Sequence, residues 1–318
     1  MINVTVLICT YNRQRSLAKA LCSIAKSQLP QFLTWEVLVV DNNSSDQTSE
    51  VVREFCMKYP ERFRYFLEPR QGKSYALNRG ILESRGQVIA FVDDDVSVEA
   101  DWLHNLTSPI LSGQYAGTGG RILMEREFVP PAWLPLNEQR TLAPLTMFDL
   151  GANACDLTEP PFGCNMAFRR SLFEKYGRFR TDLGPRPGSQ IRSEDTEFGR
   201  RLLNAGERLR YEPSAVVYHE VPEHRMKKSY FLAWFSAKGR GDVLEFGVPR
   251  DAKWFGAGVP LFLFRRLAIW TVRWLLNPDP PIRFSNRLKV WYLVGQIAEF
   301  HRQARQSQHH RQSPPCIL

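Results

Sequence analysis

Residues 88–97 read VIAFVDDDVS. Val88–Val92 is an apolar, largely β-branched run of the kind that forms a strand buried on both faces. It stops abruptly at Asp93, Asp94 and Asp95. Adjacent carboxylates repel one another, so such a cluster is either a solvated turn or a place where negative charge is needed. Its position favours the second reading, because open α/β sheets bind ligands beyond the carboxyl ends of their strands.

The flanking sequence repeats the pattern. Val4–Thr10 is an apolar strand ending in CTYN, and WEVLVVDNNSSD is a second strand ending in polar residues. Between them, residues 14–27 place Leu17, Ala20, Leu21 and Ile24 on one helical face. Further helices are predicted over residues 48–59 and 100–112, and a short strand over residues 64–67. GKSYALNRGILESRG is predicted as a helix with Gly86 as its stop. This alternation implies an α/β fold with a mostly parallel central sheet and flanking helices. The polar ends CTYN, DNNSSD and DDD are expected to share one crevice. Neither GxGxxG nor GxxxxGK[ST] is present, which argues against a dinucleotide fold or a P-loop enzyme.

The middle of the chain is less regular. Residues 126–162 are rich in Pro and Leu and read as a long loop or lobe. GCNMAFRR is a strand, and FRTDLGPRPGSQIRS is a loop whose Gly and Pro content suits a lid. EDTEFGRRLLNAG is a helix, acidic first and basic later, as its dipole favours, and stopped by Gly206. AVVYHEVPEHR is a last strand with a polar exit.

The chain has 318 residues, 43% hydrophobic and 24% charged, enough for a sizeable core and unlike a disordered chain. The net charge of +9 is unevenly placed: from Arg225 onward there are 16 Lys/Arg against 5 Asp/Glu, and the remainder is near neutral. Val259–Leu276 is rich in Leu, Phe and Trp but carries Arg265, Arg266 and Arg273. A central arginine pair is costly in a spanning helix and tolerated in an interfacial one, where it snorkels. A second amphipathic stretch covers residues 286–302. The organisation expected is a catalytic domain over residues 1–225, a basic amphipathic helical region over 226–305 and a disordered tail over 306–318. The six cysteines form no CxxC pair and read as free thiols of a reducing cytosol. The N-terminus reads as a first strand, not a leader, and Cys316 does not form a prenylation box. The basic segment lacks any aromatic or zinc module for nucleic acid, so no nucleic-acid partner is expected.

The ordered set VLICTYNR, VLVVDNNSSD, GKSYALNRG, VIAFVDDD, GCNMAFRR, EDTEFGRRL and VYHEVP resembles the family 2 glycosyltransferases of GT-A fold, across about residues 1–225. The C-terminal helices resemble, more loosely, those of bacterial members that build polysaccharides or lipid-linked sugars. The resemblance implies a GT-A nucleotide-diphospho-sugar transferase fold, a nucleotide-diphosphate sugar donor (UDP first) and a saccharide or lipid-linked acceptor. It also implies a Mn²⁺ or Mg²⁺ cofactor, and transfer with inversion. An anionic membrane surface is the expected further partner, with the protein peripheral at its cytoplasmic face. A catalytically silent nucleotide-sugar-binding scaffold of the same fold is the alternative.

Individual residues keep two readings each. Tyr11 can stack on a base while Thr10 and Asn12 bond base or ribose; equally, the three make a helix-entry turn with Asn12 as cap. Asp41 is either a turn residue or, as the family suggests, an acceptor from a uracil-type N–H. Asp46 caps or begins the next helix, and Asn78 packs or caps. Lys73, after Gly72 at a helix start, supplies positive charge where a phosphate would lie, as Arg70 does more weakly. In the family pattern the last carboxylate of an Asp-x-Asp reaches the metal, which maps to Asp95. Asp93 and Asp94 then lie nearer ribose or metal-bound water, with Asp93 a supporting ligand. His219 is either a core histidine or, by resemblance, a metal ligand. Glu194 and Asp195 favour a helix N-terminus in any protein; the family places its general base in this pair, so Asp195 is the expected base and Glu194 its positioning partner. Gly163 and Asn165 are expected near donor sugar and acceptor, with Cys164 between them as a packing residue.

Overall fold

The structure, a computed structural model, describes residues 2–125, 129–136, 139–250 and 252–312. In chain order its elements are β1 (Val4–Thr10), α1 (Gln14–Ile24), β2 (Trp35–Asp41), α2 (Thr48–Lys58), β3 (Phe63–Leu67), α3 (Lys73–Glu83), β4 (Val88–Asp93), β5 (Val96–Val98), α4 (Trp102–Leu111) and β6 (Gly117–Met124). There follow α5 (Gln139–Leu142), β7 (Cys155–Asp156), β8 (Asn165–Arg169), α6 (Ser171–Lys175), α7 (Glu194–Asn204), β9 (Leu209–His219), α8 (Lys228–Phe246), β10 (Phe255–Gly256), β11 (Val259–Pro260), α9 (Leu261–Leu276) and α10 (Pro280–Gln312). The described residues divide into two compact units. One comprises Met1–Phe128, Thr146–Ser189 and Glu194–Val221, the other Val129–Leu145, Gln190–Ser193 and Pro222–Leu318. The lobe expected over residues 126–162 is thus shared between them, and its residues 126–128 and 137–138 lie outside the described residues.

The first unit is built on one sheet in the order β3-β2-β1-β4-β8-β6-β9-β5, with β7 added on β9. The half β3-β2-β1-β4 is parallel, while β8 runs antiparallel to both β4 and β6. The apolar runs are strands because both their faces are covered: Val6, Leu7, Ile8, Val37 to Val40, Ile89 and Ala90 are fully buried. The chain leaves β1 towards β2 and β3 on one side and returns to β4 on the other, so a crevice opens where the order reverses, at the carboxyl ends of β1 and β4. In register, Thr10 stands beside Asp41 and Cys9 beside Asp93, which brings the three polar strand ends together as expected.

Several local expectations change. Gly86 does not stop α3: the helix ends at Glu83, and Ser84 is already extended. Gly86 is needed for close approach, since a Cβ there would lie 2.4 Å from the Thr5 amide nitrogen. The acidic run is followed by a short strand, β5, whose Val96 pairs with His219. Gly206, with φ +82°, does terminate the helix that precedes it.

In the second unit, α8 and α10 are seated on each other through glycines. A Cβ on Gly239 would lie 2.1 Å from the Tyr292 carbonyl oxygen, and one on Gly295 would lie 2.0 Å from that of Ser236. Val243, Val259, Leu263, Leu293 and Phe300 form the apolar centre. α8 falls within the helical region expected over 226–305, and α10 is longer than the stretch 286–302. It runs to Gln312, so residues 306–312 are helical and not a disordered tail; residues 313–318, with Cys316, lie outside the described residues. No helix among the described residues is long and apolar enough to cross a membrane.

Candidate active site

The carboxylates of the acidic run diverge. Asp93 closes β4 and accepts a 2.7 Å ion pair from Lys73 Nζ. Asp95 receives the Arg13 guanidinium at 3.2 Å on Oδ2, and its Oδ1 lies 3.5 Å from His219 Nε2. The backbone fixes this last approach, because β5 lays Val96 against His219 and the Asp95 carbonyl accepts the Glu220 N–H at 3.1 Å. Burial, and then the neighbouring Asp95 charge, push the Asp94 carboxyl up to about 7. Asp94 and Asp95 are buried, which carboxylates of a solvated turn would not be.

A second acidic pair faces it. Glu194 begins α7, is buried, and lies 3.9 Å from Lys73 Nζ. Its Oε2 has no hydrogen-bond partner, and burial together with the Asp195 charge pushes its carboxyl up to about 7. Burial works against the Lys73 ammonium, yet Asp93 and Glu194 hold it well above the ordinary lysine range. Asp195 is only half-buried. Its Oδ2 accepts the Gly163 N–H at 2.7 Å and its Oδ1 the Thr196 N–H at 2.7 Å. A Cβ on Gly163 would lie 2.8 Å from Asp195 Oδ2, so the glycine is what lets FGCN reach this carboxylate.

Because Glu194 holds its proton more tightly folded than unfolded, its contribution to stability is full below the ordinary glutamate range and is lost as pH rises towards 7. The protein is expected to lose stability between about pH 4.5 and 7, and Glu194→Gln to flatten that slope. Urea midpoints across this range check it; an unchanged slope in the variant removes Glu194 as its source.

The other predicted residues fall into two groups. Tyr11 is exposed at the crevice. Asn12 takes φ +51° and does not cap α1: its Oδ1 accepts the Ser45 N–H at 2.7 Å, tying the first polar strand end to the second. Thr10 is buried at the end of β1. Asp41 is buried with both oxygens taken, Oδ1 by the Ser44 N–H and Oδ2 by the Tyr65 hydroxyl. This geometry favours the turn reading over contact with a base. Asp46 accepts from the Thr48 and Gln14 N–H groups at the starts of α2 and α1, as a capping residue should.

Asn165 requires a clear correction. It is fully buried; its Nδ2 donates to the carbonyls of Arg121 and Ala215, and its Oδ1 accepts from Trp102 Nε1. It has no donor left for a sugar and instead joins β6, β9 and α4. Asn165→Leu is expected to destabilise the fold by about 3 kcal/mol, since it orphans an indole N–H and two carbonyls. Chemical denaturation measures this, and a loss below about 1 kcal/mol contradicts the structural role. Cys164 is buried with its thiol pushed well above the usual range, so it packs and does not react.

Sequence reasoning missed two residues. Arg13 follows TYN directly and reaches Asp95. Asn42, within DNNSSD, donates to the carbonyls of Glu68 and Arg70 and accepts the Gly72 N–H at 2.7 Å, shaping the loop that delivers Lys73. A polar residue in a strand-end motif was the available signal for each.

Among the described residues no group of three or more His, Cys, Asp or Glu already converges on a metal position. Asp95 and His219 nevertheless offer a carboxylate and an imidazole side by side, with Arg13 supplying the positive charge the carboxylate attracts. Asp93 Oδ1 is paired with Lys73 Nζ. The donor set fits a divalent cation that takes its remaining ligands from a bound diphosphate.

A half-parallel sheet with acidic strand ends in its crevice, opposed by an acidic helix start, defines a GT-A glycosyltransferase. The chain belongs to glycosyl transferase family 2, whose family model matches residues 5–177. It is 27% identical over 238 residues to the succinoglycan biosynthesis protein ExoM of Rhizobium meliloti, covering 74% of this chain and 72% of that one. It is 36% identical over 129 residues, 40% of each chain, to the Campylobacter jejuni GalNAc(5)-diNAcBac-PP-undecaprenol beta-1,3-glucosyltransferase. Among solved structures, the mannosyltransferase PcManGT from Pyrobaculum calidifontis, in complex with GDP-Man and Mn²⁺, shares the fold. Its TM-score is 0.58 at 22% identity, covering 98% of this chain and 76% of that chain.

Proposed function

We propose that this glycosyltransferase moves a sugar from a nucleotide-diphosphate sugar to a hydroxyl of a saccharide carried on a lipid, in one displacement with inversion. The observation that carries the reading is the placement of Asp195, half-buried, held by the Gly163 and Thr196 N–H groups and close enough to Lys73 for its charge to act on the ammonium. Asp195 takes the proton of the acceptor hydroxyl as its oxygen attacks the anomeric carbon, and the bond to the nucleoside diphosphate breaks. Among the described residues the carboxyl next to Asp195, Glu194, is buried and pushed up to about 7 by burial and the Asp195 charge, which makes it a poor nucleophile. Its part is to keep Lys73 in place. Lys73 and Arg13 orient and neutralise the diphosphate, and Tyr11 offers a face to the base.

Asp95 and His219 would hold Mn²⁺ or Mg²⁺, which when bound supplies Lewis-acid neutralisation of the departing diphosphate. UDP remains the first donor base, although the turn role of Asp41 weakens that preference against GDP. A lipid-linked acceptor is supported by the name of the Campylobacter relative and by α9. That helix exposes Phe264, Ile269, Val272, Leu275 and Leu276 together with three arginines, as a helix lying in a membrane interface does. The protein then works peripherally at the cytoplasmic face. The reading is tested by transfer from nucleotide sugars to a lipid-linked saccharide, and by its loss in Asp195→Asn.

A further inference from the structure

The second unit holds an open groove of about 320 Å³ lined by Lys228, Trp274, Leu275, Pro280, Arg283, Phe284 and Arg287. Its lining contains three cations and no carboxylate. None of the three has an ion-pair partner among the described residues. Two of them lie over aromatic rings: Lys228 is 5.5 Å from the Trp133 ring centre and 5.7 Å from that of Phe284. The Arg287 guanidinium sits 5.1 Å from Trp274 and 5.0 Å from Trp291. Cation–π contacts of this kind fix a charge without using its N–H donors. Arg287 Nε is buried and has no hydrogen-bond partner, an arrangement that costs free energy until an acceptor arrives. The nearest acidic group along the chain, Asp279, is spent on the α10 start, where its Oδ1 accepts the Ile282 N–H at 2.9 Å.

We propose that this groove binds the phosphate of an anionic lipid. An arginine fork and a lysine point charge are the side chains that recognise phosphate oxygens. The rim decides the source of that phosphate. Leu275 of the lining, and Leu276 and Ile282 next to lining residues in the chain, are 64%, 77% and 51% exposed, apolar surface that suits acyl chains and serves no purpose for a free anion. Tryptophan beside the cations is the composition of a membrane–water interface. The inference rests on the reading of α9 as an interfacial helix and adds to it a specific headgroup site.

The experiment is flotation of the full chain with neutral phosphatidylcholine vesicles and with phosphatidylglycerol-rich ones. The wild type is expected to prefer the anionic vesicles. Arg287→Gln and Arg283→Gln are each expected to weaken that preference about fivefold, with melting temperature and residual binding to neutral vesicles unchanged. Arg283 is exposed, so its substitution tests the groove even where Arg287→Gln impairs folding. Leu275→Glu with Leu276→Glu should abolish binding to both vesicle types. If both groove variants float like the wild type, the groove assignment is overturned while the interfacial helix stands. If the wild type floats with neither vesicle, the underlying reading fails and the assignment with it. Should inorganic phosphate raise the melting temperature while the wild type shows no anionic preference, the site is one for free phosphate and the lipid is excluded.

Discussion

Asp195→Asn is expected to lower kcat for sugar transfer by about 10²–10⁴-fold, the usual contribution of a positioned general base, while donor affinity stays close to that of the wild type. The substitution keeps the shape of the side chain and removes its ability to accept a proton. It also sacrifices one of the two backbone contacts, because Asp195 accepts from both Gly163 and Thr196 and an amide has one oxygen. A lost hydrogen bond to a charged acceptor is worth about 1.5–3 kcal/mol and would also show as lost thermal stability. A fall of about 10²-fold or more with unchanged thermal stability therefore reports the missing base. Transfer at the wild-type rate removes Asp195 from that role.

Asp95→Ala is expected to cost several kcal/mol of transition-state stabilisation, on the order of 10²–10⁴-fold in kcat/KM, and to abolish any dependence of donor binding on Mn²⁺. The reasoning is electrostatic. Asp95 lies against Arg13 and His219, and its charge helps push Asp94 up to about 7. Removing it leaves Arg13 without its ion-pair partner and His219 without the carboxylate beside it. The apo variant should be no less stable than the wild type, because like-charge repulsion is relieved. Retained Mn²⁺-dependent binding would show that the cation is held elsewhere in the cluster.

Most of the parallel half of the sheet was legible, because strands buried on both faces read as continuous apolar runs and the helices between them show one apolar face. The shared crevice followed from strand ends alone. What stayed hidden depends on contacts distant in sequence. β5 is only Val96–Val98 and becomes a strand through its pairing with β9. Gly86 resembles a helix stop, and only the packed Thr5 backbone reveals its purpose. Asn165 lies in a motif shared with catalytic segments, yet its three hydrogen bonds go to residues 44 to 63 positions away. Asp41 likewise spends its oxygens on Ser44 and Tyr65. By contrast, the motif itself suggested that Asp93, Asp94 and Asp95 differ, and they do differ in surroundings: Asp93 pairs with Lys73 and Asp95 with Arg13.

Calorimetric titration of the wild-type protein with UDP, GDP and dTDP, each with and without Mn²⁺, tests the central claim most directly. At least one nucleoside diphosphate is predicted to bind with Mn²⁺ present and markedly more weakly without it. That binding should be lost in Asp95→Ala and kept in Asp195→Asn. Binding of none of the three, with or without the cation, would contradict the assignment of this crevice as a nucleotide-sugar site.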